Sequence, residues 1–159
     1  MASKADFSAE EWKTIGLAPI VTSMFISMAD PSGPIGLMKE MFAAVSSIVE
    51  GAKEAASLQI VKDLATDLQA RELKPDLPKF GSKEEAMAFA KQTVSEAVAL
   101  LAARSPDEVQ PFKQFLYDTA QKAAEAGKEG GFLGFGGTAV SEAERQALSD
   151  LAATLGLTV

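Results

Sequence analysis

A serine is followed three residues later by a glutamate at Ser8/Glu11, Ser82/Glu85, Ser105/Glu108 and Ser141/Glu144. The start of an α-helix leaves backbone N–H groups without intrahelical acceptors. A Ser-x-x-Glu pair satisfies two of them reciprocally, the hydroxyl taking the third amide and the carboxylate reaching back to the first. Each of the last three pairs opens a run of apolar residues spaced by three and four. After Ser82 come Met87, Ala90, Val94, Ala97 and Leu101; after Ser105 come Val109, Phe112, Leu116, Ala120 and Ala123. After Ser141 come Leu148, Leu151, Ala152 and Leu155, with Gly156 placed as a C-terminal stop. That spacing lays one apolar face along a helix, and Pro106 after Ser105 occupies the position a first helical turn tolerates best.

The first half follows the same scheme less cleanly. A helix beginning near Ala9 carries Trp12, Ile15, Ile20, Met24 and Met28, and Pro19 is expected to kink or split it by removing an amide donor. A second is expected from about Pro34, with Met38, Met41, Val45 and Ile48 on one face. A third carries Leu58, Val61, Leu64, Ala65 and Leu68 and ends before Pro75; its boundary with the second falls somewhere between Gly51 and Ser57.

No stretch alternates apolar and polar residues over strand length between turn residues. The expected fold is therefore all-α: one domain over residues 1–159, a single compact bundle of six to seven helices. Lys74–Gly81 (KPDLPKFG) reads as a loop between two helical halves rather than a domain boundary, because neither half alone has a comfortable core. Each half also contains a helix, a glycine-rich turn and a further helix: PSGPIG in the first, GKEGGFLGFGG in the second. An internal duplication would leave two pseudo-repeated halves of this kind, and so would the ordinary use of glycine in helical hairpins.

Composition narrows the chemistry. The 159 residues include neither His nor Cys, which removes disulfides, thiolate metal sites, Cys nucleophiles and His-based triads. Fifteen Lys and Arg stand against 22 Asp and Glu, for a formal charge of −7, and the cations occur singly. A chain without a basic patch is poorly suited to phosphate backbones or anionic lipid surfaces, so nucleic acid is excluded as a partner. The N-terminus lacks the basic-then-apolar order of a signal peptide. Thr14–Ala29 carries no charge, but sixteen residues interrupted by Gly16 and Pro19 fall short of the roughly 20 a spanning helix needs. A buried core helix is favoured over a membrane-inserted hairpin, and a cytoplasmic location is expected.

Candidate sites are few. In the loop Gly130–Gly137, Gly134-x-Gly136-x-x-Ala139 matches a dinucleotide fingerprint only formally, since the preceding segment is helical and no βαβ unit is available. Phe132, Leu133 and Phe135 would be costly to expose together; they either tuck into the core or form an aromatic loop that meets a partner or covers a pocket. Only carboxylates are available as metal ligands, which would suit an oxygen-ligated divalent cation. Asp30 interrupts a long uncharged stretch at a glycine turn, as a turn side chain or as a metal or partner contact. Met24, Met28, Met38 and Met41 fall at helical spacing around it, either as core filler or as the lining of an adaptable apolar pocket. Asp63/Asp67 and Glu50/Glu54 lie one turn apart and read as solvated surface, while Trp12 and Tyr117 stand alone without a recognisable box.

Val140–Val159, with Ser141-x-x-Glu144, Leu148, Leu151-Ala152 and Leu155-Gly156-Leu157 after a glycine loop, resembles the terminal helix of the TerB-like tellurite-resistance family. Ala29-Asp30-Pro31-Ser32-Gly33 resembles that family's acidic turn, although Gly-Phe-Gly-Gly stands where the second acidic turn would be. The resemblance implies an all-helical, stress-associated interaction protein, with Asp30 the one residue able to inherit a metal role. The expected function is a non-enzymatic helical interaction module with a protein partner or a second copy of itself and no identified cofactor. The alternatives are a binder of a small apolar molecule, in a pocket lined by Met24, Met28, Met38, Phe132 and Phe135, and a membrane-associated helical protein.

Overall fold

The computed structural model describes residues 1–29, 42, 44–54, 57–126 and 140–158. Among these lie six α-helices and no strand: α1 (Ala9–Ala29), α2 (44–51), α3 (Gln59–Gln69), α4 (Lys83–Arg104), α5 (Val109–Ala126) and α6 (Glu142–Leu155). Short 3₁₀ turns at Lys4–Asp6 and Pro106–Glu108 precede α1 and α5. The fold is an all-α bundle.

The central helix is α1. From Ile15 to Ser27 every residue except Leu17 is buried, as expected for a helix apolar on all sides. It packs against α4, α5 and α6, so helices from both sides of the 74–81 segment share one apolar core. By length and composition alone α1 could cross a membrane, yet its apolar surface is mostly covered by the other helices. Of the two outcomes expected at Pro19, a kink or a split, the split does not occur. The hydroxyls of Thr22 and Ser23 both donate to the Pro19 carbonyl, at 2.8 and 3.3 Å, and that of Ser27 donates to Ser23 O at 2.9 Å. The buried hydroxyls are thus satisfied within the helix itself and demand nothing polar from its neighbours.

The partners meet α1 with the faces their spacing implied. On α4 the buried stripe is Ala86, Ala90, Thr93, Val94, Ala97 and Leu101, with three alanines that let the two helices approach closely. On α5 it is Phe112, Leu116, Thr119, Ala120, Ala123 and Ala124, and on α6 it is Ala147, Leu148, Leu151, Ala152 and Leu155. Each fully buried Leu or Phe contributes about 1.5–3 kcal/mol of transfer free energy.

The helix starts divide. Ser8/Glu11 and Ser141/Glu144 form complete reciprocal boxes. Ser82 takes the Glu85 amide at 3.1 Å, but the Glu85 carboxylate accepts instead from Gly81 N. Ser105 makes no side-chain cap, and Glu108 accepts from Ala2 N, 106 residues away, at 2.6 Å.

Two helices end in the same motif. After α6, Gly156 takes the left-handed conformation at φ +66°, with Gly156 N bonded to Ala153 O and Leu157 N to Ala152 O. After α3 the residue in that conformation is Arg71, at φ +59°, with Arg71 N bonded to Leu68 O and Glu72 N to Asp67 O. A non-glycine residue there carries a cost of order 1 kcal/mol. The reversal it produces turns Glu72 and Leu73 back towards α1. Leu73 lies over Gly16, where an added Cβ would clash with a Leu73 methyl.

Candidate functional site

A cleft of about 790 Å³ opens where the N-terminal segment crosses the ends of α1 and α3. Its lining includes Lys4 and Phe7 of the N-terminal segment, Trp12 of α1, and Asp63, Asp67 and Glu72. α3 supplies Asp63 and Asp67 one turn apart, and the reversal at Arg71 supplies the third carboxylate. α1 supplies Trp12 from its first turns, stacked on Phe7 with ring centroids 6.2 Å apart.

Asp67 is the pivot. Only 6 % of its surface is exposed, so its carboxylate requires partners within the protein. Its Oδ2 accepts from the indole Nε1–H of Trp12 at 2.8 Å and pairs with the Lys4 ammonium at 2.7 Å. The same ammonium lies 3.3 Å from Glu72 Oε2, and the Lys4 backbone N–H donates to Asp63 Oδ2 at 2.9 Å. Asp63 is held in turn by Gln59 Nε2 at 2.8 Å. The Asp67 carboxylate beside it, with Glu72, raises the Lys4 pKa above its ordinary value against the opposing effect of desolvation.

Arg104, at the end of α4, holds the other side of the N-terminal segment. Its Nε donates to Asp6 O at 3.1 Å, its NH2 group reaches Glu11 Oε1 at 2.7 Å, and its guanidinium lies 5.1 Å from the Phe7 ring centroid. The backbone N–H of Ser8 holds the Glu11 carboxyl below its ordinary range, and the backbone N–H of Ser3 does the same for Asp6.

The sequence offered Trp12 only as an isolated aromatic and Asp63 and Asp67 only as a solvated surface pair, and it did not point to Lys4 or Glu72. Burial at the Trp12 indole corrects that expectation. One signal was present: Asp67 follows Ile60 and Leu64 at spacings of four and three, in register with the apolar stripe of α3. A carboxylate on that stripe must be buried with a partner, but the sequence does not say which.

Of the residues singled out, Met24 is buried in the core and Met28 packs half-buried at its edge; neither lines this cleft. Asp30, Met38, Met41, Phe132, Leu133 and Phe135, with both glycine turns and the start of the second helix, lie outside the described residues. Among the described residues no group of three or more acids is arranged to hold a metal ion. A smaller cavity of about 270 Å³ lies between α2, α3 and α5; on its rim Gln114 Nε2 donates to Asp118 Oδ1 at 2.8 Å.

Chemically, the cleft joins an aromatic wall to an acidic one. Two carboxylates, Asp67 and Glu72, meet the Lys4 ammonium, a third, Asp63, accepts its backbone N–H, and Asp67 is oriented by an indole. No family model matches the chain, and comparison with curated proteins and with solved structures returned no match.

Proposed function

We propose that this protein is a non-enzymatic helical interaction module, of the TerB-like type that residues 140–159 resemble, and that it meets its partner at the Trp12–Asp67 cleft. The observation that supports this reading is the buried Asp67 carboxylate, fixed by the Trp12 indole and paired with the Lys4 ammonium in the lining of an open cleft. A fixed acceptor that is already hydrogen-bonded suits recognition: its orientation costs nothing further when a cationic group arrives. The acids around it serve as hydrogen-bond and ion-pair acceptors, and the chain has no Cys or His to add nucleophilic or imidazole chemistry.

Native mass spectrometry of the purified protein, followed by hydrogen exchange on any complex, tests the reading. A protein complex of defined stoichiometry, with its exchange footprint on residues 3–13 and 60–73, supports it. A copurifying lipid-like mass whose removal lowers the melting temperature, with no protein partner, overturns it in favour of an apolar-ligand carrier.

A further inference from the structure

We infer that the Met1–Ala2 peptide bond is a processing site, and that the Glu108 carboxylate at the start of α5 is the seat of the α-ammonium which hydrolysis of that bond creates at Ala2.

The residues on either side of this bond have opposite surroundings. Met1 is 90 % exposed and lies outside the core cluster, whereas Ala2 is 3 % exposed and belongs to it. Loss of Met1 therefore removes no core contact, and Ala2 is small enough for its buried place. Ala2 N donates to Glu108 Oε2 at 2.6 Å, across 106 residues. A backbone amide carries no charge, so it bonds the carboxylate without neutralising it. Among the described residues no ion pair includes Glu108. Arg104, the nearest cation along the chain, is committed to Glu11 and to Asp6 O. The arrangement also gives a use to the one Ser-x-x-Glu pair that makes no cap bond, since Glu108 is turned from Ser105 to Ala2.

The step needs only water and a peptidase that cuts after Met ahead of a small residue. The oxygen of water goes to the Met1 carbonyl carbon, which becomes a carboxylate. Both hydrogens go to the Ala2 nitrogen, which becomes an ammonium. Because Ala2 is buried in the finished fold, the cut precedes folding and the seating follows it. The donor becomes a cation at the atom that already faces Glu108, so a hydrogen bond becomes an ion pair. In partly buried surroundings such a pair is screened less than one on open surface. It fastens the N-terminal segment to the corner between α4 and α5.

The first test is the intact mass of the protein purified from the cells that make it. A chain starting at Ala2 with an unblocked α-amine is expected; retained Met1 or an acetylated Ala2 overturns the inference. The second is limited acylation near neutral pH, read by peptide mass spectrometry. An ion-paired ammonium supplies little of the neutral amine that the reagent attacks. Glu108→Gln keeps an oxygen for the Ala2 nitrogen and removes only the charge. The Ala2 amine is expected to react about tenfold faster in Glu108→Gln than in wild type, while the exposed Lys122 reacts equally in both. Equal rates at Ala2 overturn the seat. Third, a chain that keeps Met1, made with the peptidase inhibited, is expected to melt below the processed chain. That difference is expected to vanish in Glu108→Gln. Equal melting of the two wild-type forms overturns the inference whether or not the variant folds, and a difference that persists in the folded variant overturns the role of Glu108.

Discussion

One carboxylate oxygen of Asp67 serves two donors, the Trp12 indole and the Lys4 ammonium, and the two bonds differ in worth. The Trp12 ring is 5 % exposed, so its N–H has nowhere else to turn; the Lys4 side chain is 45 % exposed and water can replace its partner. Asp67→Ala is therefore expected to cost about 1–3 kcal/mol through an orphaned indole donor. Asp67→Asn keeps an oxygen for the indole and removes only the charge, so it should cost clearly less. Urea denaturation monitored by far-UV circular dichroism separates the two; an equal loss in both variants would assign the effect to the ion pair. Asp67 was legible as a residue on the apolar stripe of α3, but its partners, 55 and 63 positions away, were not. Hydrogen bonds over such separations depend on how helices dock, which no local spacing records.

At the scale of the elements, the serine caps show where local pattern suffices. Ser141 and Glu144 close a complete box because both partners lie within one turn and nothing else competes for them. Ser105 and Glu108 have the same spacing, yet a 3₁₀ turn forms and Glu108 is drawn to Ala2 N across the bundle. Ser141→Ala is expected to lower stability by about 1 kcal/mol. Ser105→Ala should stay within about 0.5 kcal/mol, as for a surface change that removes no cap bond. Thermal melts of the two variants decide the matter, and equal losses would contradict the distinction. The apolar stripes of α4, α5 and α6 were readable for the same reason as the complete boxes, since the helical repeat alone places residues three and four apart on one face. The split offered as one outcome at Pro19 does not occur, since α1 runs through it. Within the bundle, burial on all sides holds the helix together through it.

For the molecule as a whole, the N-terminal segment joins α1, α3, α4 and the Pro106–Glu108 turn through charged groups, so its attachment depends on pH. Asp6 and Glu11 have lowered pKa values in the fold, from the backbone amides of Ser3 and Ser8. Their contribution is present above the ordinary carboxylate range and is lost as pH falls through the lowered values. Lys4 has a raised pKa, chiefly from Asp67, so its contribution is complete below the ordinary lysine value of about 10.4 and is lost as pH rises beyond it. Arg104 faces Glu11 and the Phe7 ring. Quenching of Trp12 should therefore be flat from mildly acidic to mildly alkaline pH and rise at both extremes. A change centred near neutrality would contradict this account, as the chain has no histidine to titrate there.

The helical class, the positions of most helix starts and the inward faces of α4 to α6 follow from relations within four residues, and a chain carries those wherever it packs. The cleft depends on relations of another length. Trp12 meets Asp67 across 55 residues, Lys4 meets Asp63 across 59, Arg104 meets Glu11 across 93, and Ala2 meets Glu108 across 106. Docking α3 and its reversal at Arg71 against the start of α1 turns one acid on an amphipathic helix into a buried acceptor for the Trp12 indole and the Lys4 ammonium. The N-terminal segment, read in the sequence only as lacking a signal-peptide pattern, supplies part of the cleft's lining.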